Sequence, residues 1–146
     1  MPKYFTLPEL VKSNVAKTRN IDNTPDFAQV DHLRELVDKF LDPLRQAWGR
    51  PIIVTSGYRC QRLNSHPEVG GSSTSAHLSG YAADLIPSNV KIDEFIKFAQ
   101  DWAKKNNIKF DQMIDEYDRK GNHWLHIGLY SSAGLQRMQV FKLTKR

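Results

Sequence analysis

The sequence predicts an α+β fold in which helices pack on a small, mainly antiparallel sheet. Two segments have apolar residues spaced by three and four positions, as amphipathic helices do. Between and after them come short apolar segments of strand character, and two of these are joined by the polar turn RKGN at 119–122. The 146 residues suit one domain over 1–146 with a sizeable core.

Two short segments precede the first long helix. Thr6 and Glu9 have the spacing of a capping box, which predicts a short helix over about 7–14. The following sequence SNVAKTRNIDN, residues 13–23, is typical of an irregular connection.

The two long helices are predicted from their apolar spacing. Thr24 and Pro25 favour the start of the main core helix, which extends from Phe27 to Trp48 and ends before Gly49. Proline lacks the amide N–H that a helix interior needs, so we expect a kink or a new turn at Pro43. A second amphipathic helix is predicted over about 91–106.

The strands are predicted from short apolar segments bounded by turn residues. In chain order these segments are RPIIVTSGYR (50–59), YAADLIP (81–87), FDQMIDEYD (110–118), HWLHIGLY (123–130) and RMQVFKL (137–143). A long loop from Cys60 to Ser75 separates the first two.

Composition limits the classes of function. No apolar segment approaches the 18 or so residues of a membrane span. The N-terminal sequence MPKYFTLPEL lacks the apolar centre of a signal peptide, so we expect no export signal. We therefore expect a cytoplasmic protein, or a phage-encoded one released to the cell wall by another route. Cys60 is the single cysteine, which excludes an intramolecular disulfide.

The net charge of +5 admits two interpretations. Nucleic-acid binding is one, and a steep salt dependence of DNA binding would reveal it. However, the Lys and Arg residues are scattered and show no interleaving with aromatic residues, so we expect no nucleic-acid partner. A mild positive charge would equally favour approach to an anionic polymer such as a bacterial cell wall.

Three residues form a candidate metal-binding set. His77, Asp84 and His126 offer two imidazoles and one carboxylate, which suits a catalytic zinc site with a fourth position left for water. Gly80 would let the backbone turn sharply between the first two. On spacing alone, the alternative is that Asp84 caps a turn and His77 is a solvated loop residue.

The predicted hairpin decides which acidic residue shares a face with His126. Side chains alternate along a strand, so His123 and His126 cannot both face one metal ion. If the loop spans 118–122, Glu116 lies on the His126 face and is the candidate general base. A register shift of one residue would place Asp115 there instead, and a solvated acidic edge is a further alternative.

The segment SAHLSGYAAD, residues 75–84, resembles the Ser-x-His-x-x-Gly-x-Ala-x-Asp signature of the zinc D-alanyl-D-alanine carboxypeptidase family. That family includes phage endolysins and shares its fold with the hedgehog signalling domain. The resemblance continues in VTSGYRCQRLN (54–64), in FDQMIDEY followed by WLHIG, and towards the N-terminus in FTLPEL, IDNTP and LDPLR.

The resemblance assigns roles to individual residues. It implies a hedgehog/D-Ala-D-Ala peptidase-like fold with zinc bound by His77, Asp84 and His126. Arg59 would steady the scissile carbonyl or a substrate carboxylate, although it could instead be a structural pin for the long loop. Ser75 would line the substrate site, and Glu116 would be the base.

Three further residues qualify this assignment. Trp124 lies two residues before a ligand and would form a wall of the substrate site, with core packing as the alternative. Some family members have a carboxylate three residues before the last histidine ligand, where this chain has His123. Cys60 follows Arg59 where serine is usual.

The implied function is zinc-dependent hydrolysis of peptidoglycan stem peptides by metal-activated water. The enzyme would be a monomer acting as a D-Ala-D-Ala carboxypeptidase or an endolysin-type endopeptidase. The alternative is a catalytically silent, zinc-stabilised module that binds the cell wall or a protein partner. His123 in place of a carboxylate favours that alternative.

Overall fold

The computed structural model describes residues 3–145, so Met1, Pro2 and Arg146, at the ends of the predicted domain, lie outside it. The α+β class is confirmed. The helices are α1 (Leu7–Val11), α2 (Asn14–Thr18), α3 (Phe27–Leu36), α4 (Asp42–Trp48), α5 (Gln61–Asn64) and α6 (Ile92–Lys105). The strands are β1 (Ile52–Ser56), β2 (Ala82–Pro87), β3 (Gln112–Asp118), β4 (His123–Gly128) and β5 (Gln139–Lys145).

The five strands form one sheet in the order β1-β2-β4-β3-β5. The pairings β1–β2, β2–β4 and β4–β3 are antiparallel, and β5 pairs with β3 in parallel at the edge. The mainly antiparallel sheet that the sequence predicts is therefore confirmed.

The N-terminal helices differ from the prediction in their bounds. The capping box at Thr6 forms, but α1 ends at Val11 rather than near residue 14. The expected irregular connection contains α2, because the Ser13 side chain accepts a hydrogen bond from the backbone N–H of Ala16 and caps a new helix.

The main core helix is divided where proline requires it. The turn Val37–Leu41 between α3 and α4 is π-helical, and the N–H of Asp42 bonds to the carbonyl of Val37 five residues back. This wider turn accommodates Pro43, whose ring would clash with a regular α-helical turn. Gly49 ends α4 with a φ of 75°.

The prediction that the main core helix starts at Thr24 and Pro25 is wrong. The N-cap is Asp26, whose side chain accepts a hydrogen bond from the Gln29 N–H in a capping box. Phe27, which the apolar spacing places in the core, is 93% exposed, because it is the first residue of α3 and lies outside the buried face.

The two faces of the sheet have different environments. One face packs against the helices, and its fully buried side chains include Leu85, Met113, Leu125 and Ile127. Because side chains alternate along a strand, the residues between these, such as Asp84 and His126, point to the opposite face. Within residues 3–145, no helix has the length and apolar character needed to cross a membrane.

Candidate metal centre

Three side chains from separate segments meet on the face of the sheet opposite the helices. His77 lies on the 3-10 turn Ala76–Leu78, Asp84 on β2 and His126 on β4. One potential ligand atom from each lies within 4.8 Å of the other two, and all three residues are buried. The convergence predicted from the sequence is therefore present, and the group can hold a metal ion.

The Asp84 carboxylate is the centre of the group. Its Oδ1 lies 3.0 Å from Nδ1 of His126 and 3.3 Å from Nε2 of His77. Asp84 and His126 are direct partners across the β2–β4 pairing, so the sheet itself sets their separation. The two imidazole ring centres lie 5.1 Å apart.

The second ring nitrogen of His77 is held by the backbone. Nδ1 lies 2.6 Å from the carbonyl oxygen of Gly57, and a carbonyl can only accept, so Nδ1 carries the proton. Nε2 then offers its lone pair towards Asp84, as a metal ligand must. The contact from Gly57 was not predicted from the sequence, because a backbone carbonyl leaves no signal in side-chain spacing.

The protonation states also suit a metal ion. Burial lowers the pKa of His77 and outweighs the opposing effect of Asp84. Burial raises the pKa of Asp84, but the two imidazoles outweigh it and hold that pKa well below its usual value. A neutral imidazole beside an ionised carboxylate is the state that zinc requires of its ligands.

The turn between His77 and Asp84 rests on helix α3. Gly80 has a φ of 88°, and an added Cβ would lie 2.7 Å from the Gln29 carbonyl oxygen, so both its conformation and its close packing require glycine. The Gln29 side chain donates to the Leu78 carbonyl at 3.3 Å, and His32 Nδ1 lies 2.7 Å from the Ser79 carbonyl oxygen.

The hairpin has the register that places Glu116 on the same face of the sheet as His126. Glu116 pairs with Trp124, and its Oε1 lies 3.9 Å from Nδ1 of His126. Asp115 instead points to the helix-covered face, where it is buried and bonded to Nε2 of His123. His123 therefore does not share a face with the metal-binding group.

Arg59 lies beside this group in a partly buried position. Burial lowers its pKa, although Asp84 and Glu116 act in the opposite direction. Its backbone N–H bonds to the His77 carbonyl at 3.0 Å, which joins the two segments. Among the described residues, its buried Nε has no hydrogen-bond partner, which is unusual for a buried donor. This N–H is therefore available to donate to an oxygen of a bound ligand.

These residues line a single groove of about 620 Å³. Ser75 and Trp124, which the sequence assigns to the substrate site, also line it. Ser75 additionally caps the turn by accepting the backbone N–H of His77 at 3.2 Å. The groove is also lined by residues that the sequence did not suggest, among them Asp111, Ile114, Leu135, Arg137, Phe141 and Leu143.

Comparison with known protein families agrees with this geometry. A family model described as Peptidase M15 matches residues 3–127, which is most of the chain. The chain belongs to the peptidase M15 family. Membership confirms the resemblance inferred from residues 75–84 and supports a metallopeptidase in general terms, since M15 peptidases are typically zinc-dependent. No curated protein matches the chain.

The carbonyl that holds His77 gives a testable consequence for this M15 domain. A Cβ on residue 57 would lie 2.1 Å from the Leu10 carbonyl oxygen, a backbone atom that cannot move aside easily. We expect Gly57→Ala to destabilise the fold by about 1–3 kcal/mol and to weaken zinc binding by displacing the carbonyl that orients His77. Thermal unfolding and a competitive zinc titration measure the two effects.

Gly121→Ala is the matched control for that variant. A Cβ there meets nothing within 4 Å, so only backbone strain applies. Its zinc affinity should equal that of the wild type. Unchanged zinc affinity in a folded Gly57→Ala protein would contradict the role of the carbonyl.

Proposed function

We propose that this chain is a zinc-dependent peptidase that hydrolyses peptide bonds in peptidoglycan stem peptides, as a D-Ala-D-Ala carboxypeptidase or an endolysin-type endopeptidase. The observation that carries the proposal is the convergence of His77, Asp84 and His126 beside a carboxylate and a buried arginine in an M15 chain. Two imidazoles and one carboxylate are typical of a catalytic zinc site, whereas closed structural sites have four protein ligands.

In this proposal, His77, Asp84 and His126 are the zinc ligands. Zinc held by these residues would act as a Lewis acid and would lower the pKa of a water molecule bound to it to about 7. His77 would bind through Nε2 and His126 through Nδ1, because those are the ring nitrogens directed at Asp84. The Gly57 carbonyl would keep the His77 ring in position during turnover.

Glu116 is proposed as the general base. Its carboxylate lies on the same face as His126 and lines the groove. From there it would accept a proton from the attacking water and deliver that proton to the leaving amine. Asp115 is unsuited to this role, since it is buried on the opposite face.

Arg59 is proposed to stabilise the negative charge that develops on the carbonyl oxygen. Its guanidinium remains charged throughout and can donate two parallel hydrogen bonds. The buried Nε without a partner among the described residues supports a role in holding a substrate oxygen. Ser75 and Trp124 are proposed to contact the peptide, because both line the same groove.

The test is digestion of purified peptidoglycan by the zinc-loaded protein, followed by mass spectrometry of the released muropeptides. We expect defined peptide products that disappear when a chelator is present and return when zinc is added. The product masses identify the bond that is cleaved. Absence of any product from zinc-loaded protein over a range of peptidoglycan types would contradict the proposal.

Arg59→Lys should lower kcat by about 100-fold, as removal of one oxyanion donor does, while the zinc content stays that of the wild type. Lysine keeps the charge but loses the planar fork of donors. Steady-state kinetics, on the peptide that the digestion experiment identifies as substrate, measures the effect on kcat. Arg62→Lys, an exposed arginine on α5, is the control and should retain full activity. An unchanged kcat in Arg59→Lys would indicate that Arg59 only holds the loop after it in place.

The second candidate is a silent module that binds the cell wall without cleaving it. The observation in its favour is His123, which occupies the position of a carboxylate in some family members. The contact of His123 with Asp115 on the opposite face weakens this argument, since the residue does not replace Glu116. Equal binding to peptidoglycan by wild type and Glu116→Ala, with no release by either, would support the module.

A further inference from the structure

The groove continues from the metal-binding group to the edge strand β5. Asp84 pairs with His126, and the same row across the sheet continues through Ile114 of β3 to Phe141 of β5. Neighbouring strands lie about 4.8 Å apart, so Phe141 lies roughly 10 Å from His126. That span equals about three residues of extended peptide, which suits a bound peptide reaching from the metal centre to β5.

Three apolar residues that line this end of the groove are exposed. Phe141 is 39% exposed, Leu143 45% and Leu135 53%. A contiguous apolar surface inside a groove is typical of a binding site rather than of ordinary surface. Its continuity with the metal-binding group indicates that the peptide substrate is the occupant.

The guanidinium of Arg137 lies at the same end of the groove and is held by Asp111. Arg137 donates from Nε to Oδ1 of Asp111 at 2.8 Å and from Nη2 to Oδ2 at 2.9 Å. Its backbone N–H also bonds to Oδ1, at 3.1 Å. The Asp111 side chain is only 4% exposed, whereas that of Arg137 is 43% exposed, so Asp111 is the anchor and Arg137 faces the groove.

The pair leaves donors for a ligand. An arginine side chain has five N–H donors, and Asp111 engages two of them. A surface arginine normally loses side-chain conformational entropy when it binds a ligand. Because the bidentate contact with Asp111 already restrains Arg137, its remaining donors are oriented in advance and less entropy is lost on binding. Carboxylates are the groups that such a planar fork binds best.

The segment that carries Arg137 is held in place on both sides. The Ser131 hydroxyl accepts the N–H of Leu135 at 3.0 Å, and Gln136 donates to the Leu129 carbonyl at 3.2 Å. Met138 donates its N–H to the Phe110 carbonyl at 3.1 Å. The segment that carries Arg137 is therefore held by the protein's own hydrogen bonds and does not need a ligand to position it.

We infer that Arg137, anchored by Asp111, binds a free carboxylate of the substrate on the β5 side of the scissile bond, and so makes the enzyme selective for acidic peptides. The inference rests on the proposed function. Asp111 lies within residues 3–127, which match the M15 family model, but Arg137, the residue that would bind the carboxylate, lies beyond them. Family membership therefore does not assign this role.

A merely structural role for Arg137 makes a different prediction. An arginine that only holds the loop would affect all substrates equally. The test therefore compares two peptidoglycan stem peptides that differ only in the D-glutamate α-carboxyl group, which is free in one and amidated in the other. Binding is measured by calorimetry on zinc-loaded Glu116→Gln protein, and KM and kcat on zinc-loaded protein with Glu116 intact.

We expect the free acid to bind about 10-fold more tightly than the amide, as a charge-assisted hydrogen bond would give. Arg137→Gln should reduce this ratio to about one by raising KM for the free acid, with kcat and the amide peptide little affected. Arg137→Lys should retain part of the preference. Arg119→Gln, the same change at an exposed site in the β3–β4 turn, should retain all of it.

Two results would overturn the inference: no preference for the free acid when Arg137 is intact, or the same preference in Arg137→Gln. If that variant does not fold, the comparison of free acid and amide on protein with Arg137 intact and on Arg137→Lys still decides. Lack of hydrolysis by zinc-loaded wild type would contradict the proposed function alone, since the binding preference is measured without turnover.

Discussion

Asp84→Asn should abolish zinc binding at neutral pH, and hydrolysis with it. Asp84 is the single anionic member of the proposed ligand group and contacts both imidazoles. Asparagine keeps the shape but lacks the negative charge that offsets the charge of zinc. Loss of an outer partner of a metal ligand costs about 10- to 100-fold in affinity, so loss of a ligand charge should cost more than about 100-fold.

Zinc content after dialysis, measured by plasma emission spectrometry, tests this expectation. Asp101→Asn, an exposed aspartate on α6, is the control and should hold zinc as the wild type does. Circular dichroism establishes that the Asp84 variant is folded. A folded Asp84→Asn protein that keeps one zinc per chain with wild-type affinity would show that the metal lies elsewhere.

Glu116→Gln should lower kcat by about 100- to 10,000-fold, the usual contribution of general acid–base catalysis. Zinc content should stay at the wild-type level, because Glu116 is proposed as the base and not as a ligand. KM should change little, since glutamine has nearly the same shape. Steady-state kinetics on the peptide substrate measures kcat and KM, and metal analysis of the same protein measures the zinc content.

Glu94→Gln serves as the control, because Glu94 is exposed in the first turn of α6. It should retain wild-type kinetics. A Glu116→Gln protein with unchanged kcat would remove Glu116 from the mechanism.

Local sequence signals predicted most of the fold because each had one dominant physical cause. The polar turn and alternating side chains fixed the β3–β4 hairpin, and the register Glu116–Trp124 follows from its loop of 118–122. The start of α3 was misplaced because Thr24 and Asp26 are both good caps. Only the capping box with Gln29 distinguishes them.

The candidate site was predicted unevenly for a related reason. His77, Asp84 and His126 have the chemistry of metal ligands, and their convergence is present in the structure. The roles proposed for Gly57 and Arg137 depend on contacts between segments 20 and 26 residues apart in the chain. Such contacts carry no local pattern, so they could not be found from the sequence alone.

Because Gly80 packs against α3, binding of a metal ion by His77 and Asp84 would be detectable in a helix that supplies none of the proposed ligands. Backbone and side-chain contacts from Gln29 and His32 support the turn at 78–80. Any ligand that rigidifies this turn also restrains the helix beneath it, since local opening of the two would be coupled. Slower deuterium uptake by the amides of α3 would then report occupancy in a segment whose own residues never touch the ion.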